Sequence, residues 1–212
     1  MSTAAAGEQD GGGELAVRTR ILREAWAMIE AGRIGDLTMA AVGKAAGVSR
    51  QTVYVQFGTR AGLLVEMVRE RDATNPRLEE LEAALADPDP VEGLSALTRV
   101  LAGWWQDINP IAQALFAAAL TDDAARAAWE DRMTHLHDFA AQAVQRLDAA
   151  GALASGWDVV EAADWLANQL NPLAWVLLVE GAGWSQRLYE DRMTAVVQAV
   201  LVDAGTASRR AR

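Results

Sequence analysis

The chain lacks cysteine and has only two histidines, and these absences remove most site chemistry. Without cysteine there are no disulfides, thiolate zinc sites or thiol nucleophiles. His135 and His137 are two residues apart and face different ways on a predicted helix, with only Asp131 one helical turn from His135. No serine has a credible base partner, and no glycine-rich phosphate loop is present. We therefore expect no enzyme, no metal site and no cofactor.

Long apolar runs are also missing. No stretch of about 18 uninterrupted apolar residues exists, so the sequence predicts no membrane span. Residues 1–13 lack the basic and apolar regions of a signal peptide, and their small, acidic composition predicts a disordered leader. These absences favour a cytoplasmic location with no membrane partner.

Charge is present in plenty but is unevenly distributed. The 212 residues carry a formal net charge of −10, although residues 15–71 have a net charge of +4 and residues 72–212 one of −11. Such asymmetry indicates a nucleic-acid-binding end attached to an acidic body. Ordinary scatter of surface charge is the simpler alternative.

The apolar spacing is helical nearly throughout and predicts an all-α protein. A first helix is expected over residues 15–32, followed by two short helices and a longer one. Asn109-Pro110 reads as a helix start, and Pro172 is expected to kink a long helix. The predicted helices after residue 37 are 38–46, 49–56, 60–73, 76–86, 90–107, 110–120, 123–150, 158–181 and 185–204.

Residues 37–64 contain two short helices around a tight turn. Thr38 and Ser49 are placed to cap the two helices, and Gly47 allows the turn a positive φ. Val53 and Phe57, four residues apart, are expected to be buried, which leaves the other side chains of the second helix facing outward. The outward group is Arg50, Gln51, Thr52, Tyr54 and Val55.

This outward group suits DNA. Arginine reads guanine and glutamine reads adenine through paired hydrogen bonds in the major groove. Hydroxyl groups and a helix N-terminus suit phosphate oxygens. The arrangement predicts a helix-turn-helix whose second helix reads DNA. A plain three-helix bundle with a similar turn is the alternative.

Residues Leu37–Leu64 resemble the DNA-binding motif of the TetR (tetracycline-repressor-like) family of bacterial regulators. The shared features are Thr38, the turn from Ala45 to Ser49, Thr52-Val53-Tyr54, Phe57, and a basic residue at position 60 before Leu63-Leu64. The resemblance implies an N-terminal three-helix DNA-binding domain (14–60), a C-terminal helical domain for ligand binding and dimerisation (61–205), and a basic tail (206–212).

The resemblance also implies roles for individual residues. It implies that Arg50 and Gln51 contact DNA bases, and that Val55 contacts a thymine methyl or nothing. Arg60 stands where lysine is usual and Gly43 where alanine is usual. Phosphate contacts are implied for three hydroxyl residues, with Arg18 and Arg20 as secondary candidates. The expected DNA-binding residues are Thr38, Lys44, Ser49, Arg50, Gln51, Thr52, Tyr54, Val55 and Arg60.

Seven of the eight tryptophans lie in the acidic body, and ligand pockets are rich in aromatic side chains. Three amides beside Pro172 add polar groups to an apolar helix. We expect the site to be lined by Trp104, Trp105, Ile108, Phe116, Trp165, Asn168, Gln169, Asn171 and Trp175. Core packing is the alternative for each tryptophan.

The last two predicted helices carry apolar stripes that suit a homodimer interface. One stripe comprises Val159, Ala163, Leu166, Leu170, Leu173 and Leu177, and the other comprises Val196, Val197, Val200 and Leu201. Burial of both stripes inside one subunit is the alternative.

The sequence favours a homodimeric repressor that binds a palindromic double-stranded DNA operator. A small hydrophobic or aromatic effector would release it. Two further hypotheses stay open. One is a DNA-binding regulator without an effector, controlled by a protein partner. The other is an enzyme or binding protein that uses the pocket alone.

Overall fold

The computed structural model describes residues 5–73, 77–203 and 205, and this part of the chain is helical without strands. One isolated antiparallel bridge joins Leu153 to Val202. The all-α prediction is confirmed. The helices are α1 (Ala5–Glu30), α2 (Met39–Ala45), α3 (Arg50–Phe57), α4 (Arg60–Ala73), α5 (Arg77–Ala86), α6 (Pro90–Ala119), α7 (Asp123–Ala149), α8 (Val159–Gln169), α9 (Pro172–Trp175) and α10 (Gln186–Leu201), with a 3₁₀ turn at Ile34–Asp36 and a π-helical turn at Val176–Gly181.

The chain divides into two compact units. The first unit comprises residues 1–74 and 110–129, and the second comprises residues 75–109 and 130–212. The division falls within α6 and within α7, so each of these two long helices contributes to both units. The predicted boundary at residue 60 between DNA-binding and ligand-binding domains stays a prediction.

The first helix begins at Ala5, ten residues before the expected start. It therefore includes most of the segment (1–13) that we expected to be a disordered leader. Residues 5–13 contain four glycines, which disfavour a helix, but extending an existing helix costs less than starting one. Residues 1–4 and the predicted basic tail, 206–212, lie outside the described residues.

Helix α6 continues through Pro110, so the predicted helix start at Asn109-Pro110 is wrong. Proline removes one helical hydrogen bond, but burial on both sides of it keeps the helix intact. Trp105 precedes the proline and Ile111 follows it, and both are buried. Asn109 is not a cap. Its side chain is fully buried, and its Nδ2 donates to Glu180 Oε1 at 2.9 Å.

The predicted helix over 158–181 is interrupted rather than kinked at Pro172. Helix α8 ends at Gln169, and Asn171 starts α9 by accepting a hydrogen bond from the Leu173 backbone at 2.9 Å. Pro172 occupies the first position of α9, where its missing N–H costs nothing. A π-helical turn then follows directly.

Gly62 is required where α4 begins. A Cβ at this position would overlap the carbonyl oxygen of Phe57, the last residue of α3. We expect Gly62→Ala to lower the free energy of unfolding by about 1 to 3 kcal/mol, because backbone must move to admit the methyl group. Urea denaturation followed by far-UV circular dichroism measures it.

Gly13→Ala is the matched control. Gly13 also lies within a helix, but a Cβ there meets nothing within 4 Å. This substitution should raise stability by up to about 1 kcal/mol through helix propensity. Equal effects from the two substitutions would contradict the close approach at Gly62.

Candidate functional site

Helix α3 is held by its two ends and by two buried side chains. Ser49 caps its first turn, with Oγ accepting a hydrogen bond from the Thr52 backbone at 3.0 Å. Val53 and Phe57 are buried, as their spacing predicts. Gly58 ends the helix with a φ of 68°, which only glycine adopts without steric cost. The remaining side chains of this short helix therefore face outward on a fixed backbone.

The turn before α3 is as tight as the sequence predicts. Thr38 caps α2 by accepting a hydrogen bond from the Ala41 backbone at 3.1 Å, and Gly47 has a φ of 65°. The backbone N–H of Val48 donates to the Gly43 carbonyl at 2.9 Å. A Cβ at Gly43 would lie 3.0 Å from the Val48 carbonyl oxygen, which explains glycine where alanine is usual.

The exposed face of α3 brings together most of the predicted DNA-binding residues. Arg50 and Gln51 are exposed in its first turn. Tyr54 and Val55 follow one turn later, with 55% and 68% of their surfaces exposed. Lys44 is exposed at the end of α2. This face offers one planar cation, one amide, a phenol and a methyl-bearing side chain in two successive turns.

Four other predicted contacts already have intramolecular partners. The hydroxyls of Ser49 and Thr52 lie 2.9 Å apart, and Thr38 serves as a cap. The capping oxygen of Thr38 keeps its own proton to donate, whereas one hydroxyl of the Ser49–Thr52 pair donates to the other and only one proton of the pair is left for phosphate. Arg60 Nε donates to the Leu37 carbonyl at 2.7 Å. Arg60 therefore fixes the start of α2 to the start of α4, and a phosphate contact from it stays a prediction.

The secondary candidates Arg18 and Arg20 fasten α1 to the helix-turn-helix. Arg20 Nε donates to the Ala46 carbonyl at 2.9 Å, and Arg18 NH1 donates to the Gln56 carbonyl at 3.1 Å. Arg18 also pairs with Glu66 and lies over the Phe57 ring, 4.7 Å from its centre. Their roles in this structure are to position α2 and α3.

The second unit contains most of the predicted ligand-binding residues. Trp105 and Trp175 are buried in one apolar cluster, and Trp104, Ile108 and Trp165 pack against it. Phe116 lies in the first unit, where its ring is 5.0 Å from that of Trp129.

The three predicted amides differ in their surroundings. Asn168 is exposed and Gln169 is half-buried. Asn171 is committed to capping α9, and its Nδ2 lies 3.4 Å from the Met133 sulfur. The structure therefore does not gather these amides into one polar patch.

Sequence reasoning missed Gln186, which links three elements of the second unit. Its Oε1 accepts a hydrogen bond from Trp175 Nε1 at 2.7 Å. Its Nε2 donates to the Ala102 carbonyl at 2.9 Å and to Glu190 Oε1 at 2.7 Å. Gln186 follows the predicted cap Ser185, so it reads as an ordinary first-turn residue. Only the approach of α6 to α10 reveals its role.

Among the described residues of the second unit, the buried polar side-chain atoms without a hydrogen-bond partner include Trp105 Nε1, Asn109 Oδ1 and the Tyr189 hydroxyl. Trp105 is 5% exposed and the other two residues are fully buried. Burial raises the pKa of Tyr189 to about 12, since the surroundings disfavour the phenolate. The available sequence signal was a polar residue, Asn109, within an apolar helix.

The histidines form surface pairs rather than a metal centre. His137 Nε2 lies 2.9 Å from Asp164 Oδ1, and His135 Nδ1 lies 3.7 Å from Asp131 Oδ2. In the part of the chain that the structure describes, no three histidine or acidic residues come together to hold a metal ion. Nor does any described helix combine the length and hydropathy needed to cross a membrane.

Residues 21–67 match the family model of bacterial regulatory proteins of the tetR family. These residues include the capped α2, the Gly47 turn and α3 with its exposed face. A sequence search of curated proteins gives no match.

Solved structures share the fold over most of their length. A transcriptional regulator from Saccharomonospora viridis in complex with choline has a TM-score of 0.73 and 18% identity, covering 88% of this chain and 97% of its own. SmeT in complex with triclosan has a TM-score of 0.67 and 20% identity, covering 90% and 93%. SmeT is the repressor of the Stenotrophomonas maltophilia multidrug efflux pump SmeDEF.

A third solved structure has a higher sequence identity. Thermus thermophilus FadR, a TetR-family transcriptional repressor in complex with lauroyl-CoA, is 26% identical with a TM-score of 0.61, and the match covers 85% of this chain and 92% of FadR.

The fold and the α2–turn–α3 arrangement define an all-helical DNA-binding protein of the helix-turn-helix class. Residues 21–67 are therefore a DNA-binding domain of the tetR family of bacterial regulatory proteins, and the rest of the described chain shares the fold of the solved regulators.

The unpartnered Tyr189 hydroxyl makes stability depend on alkaline pH. Below pH 10 the tyrosine is neutral in both states, but between pH 10 and about 12 it ionises only when the chain unfolds. Stability is therefore lost as pH rises through this window, by about 2 to 3 kcal/mol at most. Tyr189→Phe should remove this loss and leave stability at pH 7 within about 1 kcal/mol of the parent.

Urea unfolding at pH 7, 9, 10 and 11 measures the effect. Tyr54→Phe, which alters the exposed tyrosine, is the control and should keep the alkaline loss. A fall of more than about 2 kcal/mol for Tyr189→Phe at pH 7 would show that the hydroxyl has a partner after all.

Proposed function

We propose that this regulator is a homodimeric repressor that releases a palindromic operator when a small molecule binds its second unit. The exposed face of α3 carries this proposal. It presents Arg50, Gln51, Tyr54 and Val55 on a helix whose caps and buried side chains hold it rigid. In this family the helix is the DNA-binding element, and a repressor acts by occupying its operator.

Each side chain on the reading helix has a suitable partner in DNA. The Arg50 guanidinium suits the two acceptors of guanine, and the Gln51 amide suits adenine. Tyr54 suits a phosphate oxygen, and Val55 suits a thymine methyl. The net charge of +4 over residues 15–71 favours the approach of this end to DNA, and the −11 over residues 72–212 disfavours the other.

Two α3 helices in successive major grooves require a dimer. We place its interface on α8 and α10, the last two long helices, which contact each other within the second unit. Much of both predicted stripes is buried inside the subunit, including Leu166, Leu170, Val197 and Leu201, because one face of each helix packs on the core. The exposed apolar side chains on these helices are Val160, Leu188 and Val196.

The three solved structures with ligands support an effector. They hold choline, triclosan and lauroyl-CoA, three molecules of very different size and charge. For this chain we place the effector against the cluster of Trp105, Trp175 and their neighbours in the second unit. Since α6 and α7 each belong to both units, they are the direct covalent route between effector and DNA.

The effector can shift the DNA-binding equilibrium only by the difference in its affinity for the two states. A regulator controlled by a protein partner instead is the alternative. Compounds that change tryptophan fluorescence but never DNA affinity would favour that alternative.

The proposed DNA contacts are tested with DNA that the unmodified protein (the parent) selects from a random pool. Arg50→Ala should weaken binding to the selected sequence by about 10- to 100-fold and relax the preference at one base pair. Tyr54→Phe should weaken binding to all DNA more evenly, because phosphate carries no sequence information. Gel retardation across a salt series measures both.

Arg187→Ala is the control for charge. This arginine lies in the second unit, with 91% of its side chain exposed, and its loss should leave DNA binding unchanged. Unchanged, salt-insensitive binding by the Arg50 and Tyr54 variants would overturn the proposal that α3 contacts DNA.

The dimer is tested by charging its proposed interface. Val196 is 44% exposed on α10, and Val196→Asp should shift the protein toward monomer, because a carboxylate would lose water at the interface. Sedimentation velocity measures the shift. Val55→Asp adds the same charge at an exposed valine of α3 and should leave association unchanged. A Val196→Asp protein as dimeric as the parent would place the interface elsewhere.

A further inference from the structure

Helix α6 is joined to the segment 175–190 at two levels. At one level the Gln186 amide donates to the Ala102 carbonyl at 2.9 Å. At the other level, two turns along α6, the Asn109 amide donates to Glu180 Oε1 at 2.9 Å. Trp105 lies on the stretch of α6 between these two connections.

The two unpartnered atoms of α6 lie on this stretch. Trp105 and Asn109 are four residues apart, so their side chains share one face of the helix. Trp105 Nε1 can only donate a hydrogen bond. The donation to Glu180 fixes the nitrogen of the Asn109 amide and leaves its Oδ1 as an acceptor. A buried donor and a buried acceptor therefore lie one turn apart on the same face of α6, and neither has a hydrogen-bond partner.

Burying such atoms without partners is costly. A buried donor or acceptor that loses its partner costs about 1 to 3 kcal/mol, and most native interiors avoid it. Tyr189, in the same apolar cluster as Trp105, adds a third. Of these atoms, Trp105 Nε1 and Asn109 Oδ1 share one face of α6, so one polar group placed between them could satisfy both.

The segment opposite α6 is suited to move. It contains the π-helical turn Val176–Gly181, a rare conformation that is frequent at functional sites. No residue of this turn is buried, and Leu177 is 71% exposed. Gly183 follows with a φ of 73°. Glu180 belongs to this turn, so displacing the turn would release the Asn109 amide from its partner.

The charges near Trp105 and Asn109 restrict the kind of ligand that can bind there. Glu180 and Glu190 stand at the two connections and repel an anion. A single hydroxyl oxygen can accept from Trp105 Nε1 and donate its own proton to Asn109 Oδ1. Aromatic walls from Trp104 and Trp175 suit an apolar body beside that hydroxyl.

We propose that the effector is an uncharged hydroxyl compound with an aromatic or aliphatic body, such as a phenol, whose hydroxyl bridges Trp105 Nε1 and Asn109 Oδ1. This inference rests on the proposed function, since it names the chemical class of the effector. The hydroxyl satisfies two buried atoms that the unliganded protein leaves without partners.

The test compares matched compounds with and without the hydroxyl proton. The probes are 4-propylphenol and 2-naphthol, their methyl ethers, and the carboxylates 4-propylbenzoate and 2-naphthoate, titrated into the full-length protein by calorimetry. A site built for a hydroxyl rejects a ligand that lacks it, so at least one phenol should bind about tenfold or more tightly than its ether and its carboxylate. No preference in either series overturns the proposal.

Two variants test whether the preference for a phenol over its ether depends on Trp105 Nε1 and Asn109 Oδ1. Trp105→Phe removes the donor and keeps an aromatic ring, and Asn109→Leu removes the acceptor at similar volume. Each should reduce the phenol-to-ether affinity ratio to near one. Trp157→Phe is the matched control: it removes an indole N–H elsewhere in the second unit, where Trp157 Nε1 donates to the Val200 carbonyl at 3.1 Å, and its ratio should stay at the parent value. A ratio that survives both Trp105→Phe and Asn109→Leu places the hydroxyl elsewhere and overturns the proposal.

Gel retardation in parallel separates this inference from the proposed function. Each variant must retard the DNA selected by the parent, which also shows that it folds. If the parent binds no DNA, the proposed function fails whatever the phenols do. If DNA binding is intact but phenols show no preference over ethers, only the hydroxyl inference fails.

Discussion

The structure depends on one constraint: a helix of eight residues has no stability of its own. Helix α3 persists because Val53 and Phe57 are buried beneath it and because Ser49 and Gly58 satisfy its ends. Its outer face carries exposed side chains that the core does not constrain. Buried positions that hold the helix and exposed positions proposed to contact DNA are thereby separated on one short helix.

The second unit shows the opposite arrangement. Its apolar cluster encloses the unpartnered Nε1 of Trp105 and hydroxyl of Tyr189, and buried polar atoms without partners lower stability. Gln186 makes three hydrogen bonds that join α6 to α9 and α10. Trp105 Nε1 and Asn109 Oδ1, one turn apart on α6, make none. The hydroxyl of the proposed effector would satisfy both atoms.

Prediction from the sequence succeeded where the determining contacts are local. The caps Thr38 and Ser49, the positive φ of Gly47 and the buried pair Val53 and Phe57 all follow from neighbours within four residues. Prediction failed where contacts between residues far apart in the sequence determine the local structure. Pro110 reads as a helix start, but burial of α6 on both sides keeps the helix continuous through it. The stripe containing Leu166 is consistent from the sequence with a dimer face or with core; the structure buries Leu166 and Leu170 and exposes Leu177, and the dimer interface stays a prediction.

The sequence by itself determined the helix-turn-helix domain, the all-helical fold and the side chains that α3 exposes. Each of these depends on short-range periodicity, capping residues and glycines, which act through the local backbone. Only the tertiary structure decided that Asn109 links α6 to Glu180 and that Trp105 keeps an unpartnered N–H. Whether a buried polar atom finds a partner depends on which distant helix lies opposite it, and no local pattern records that.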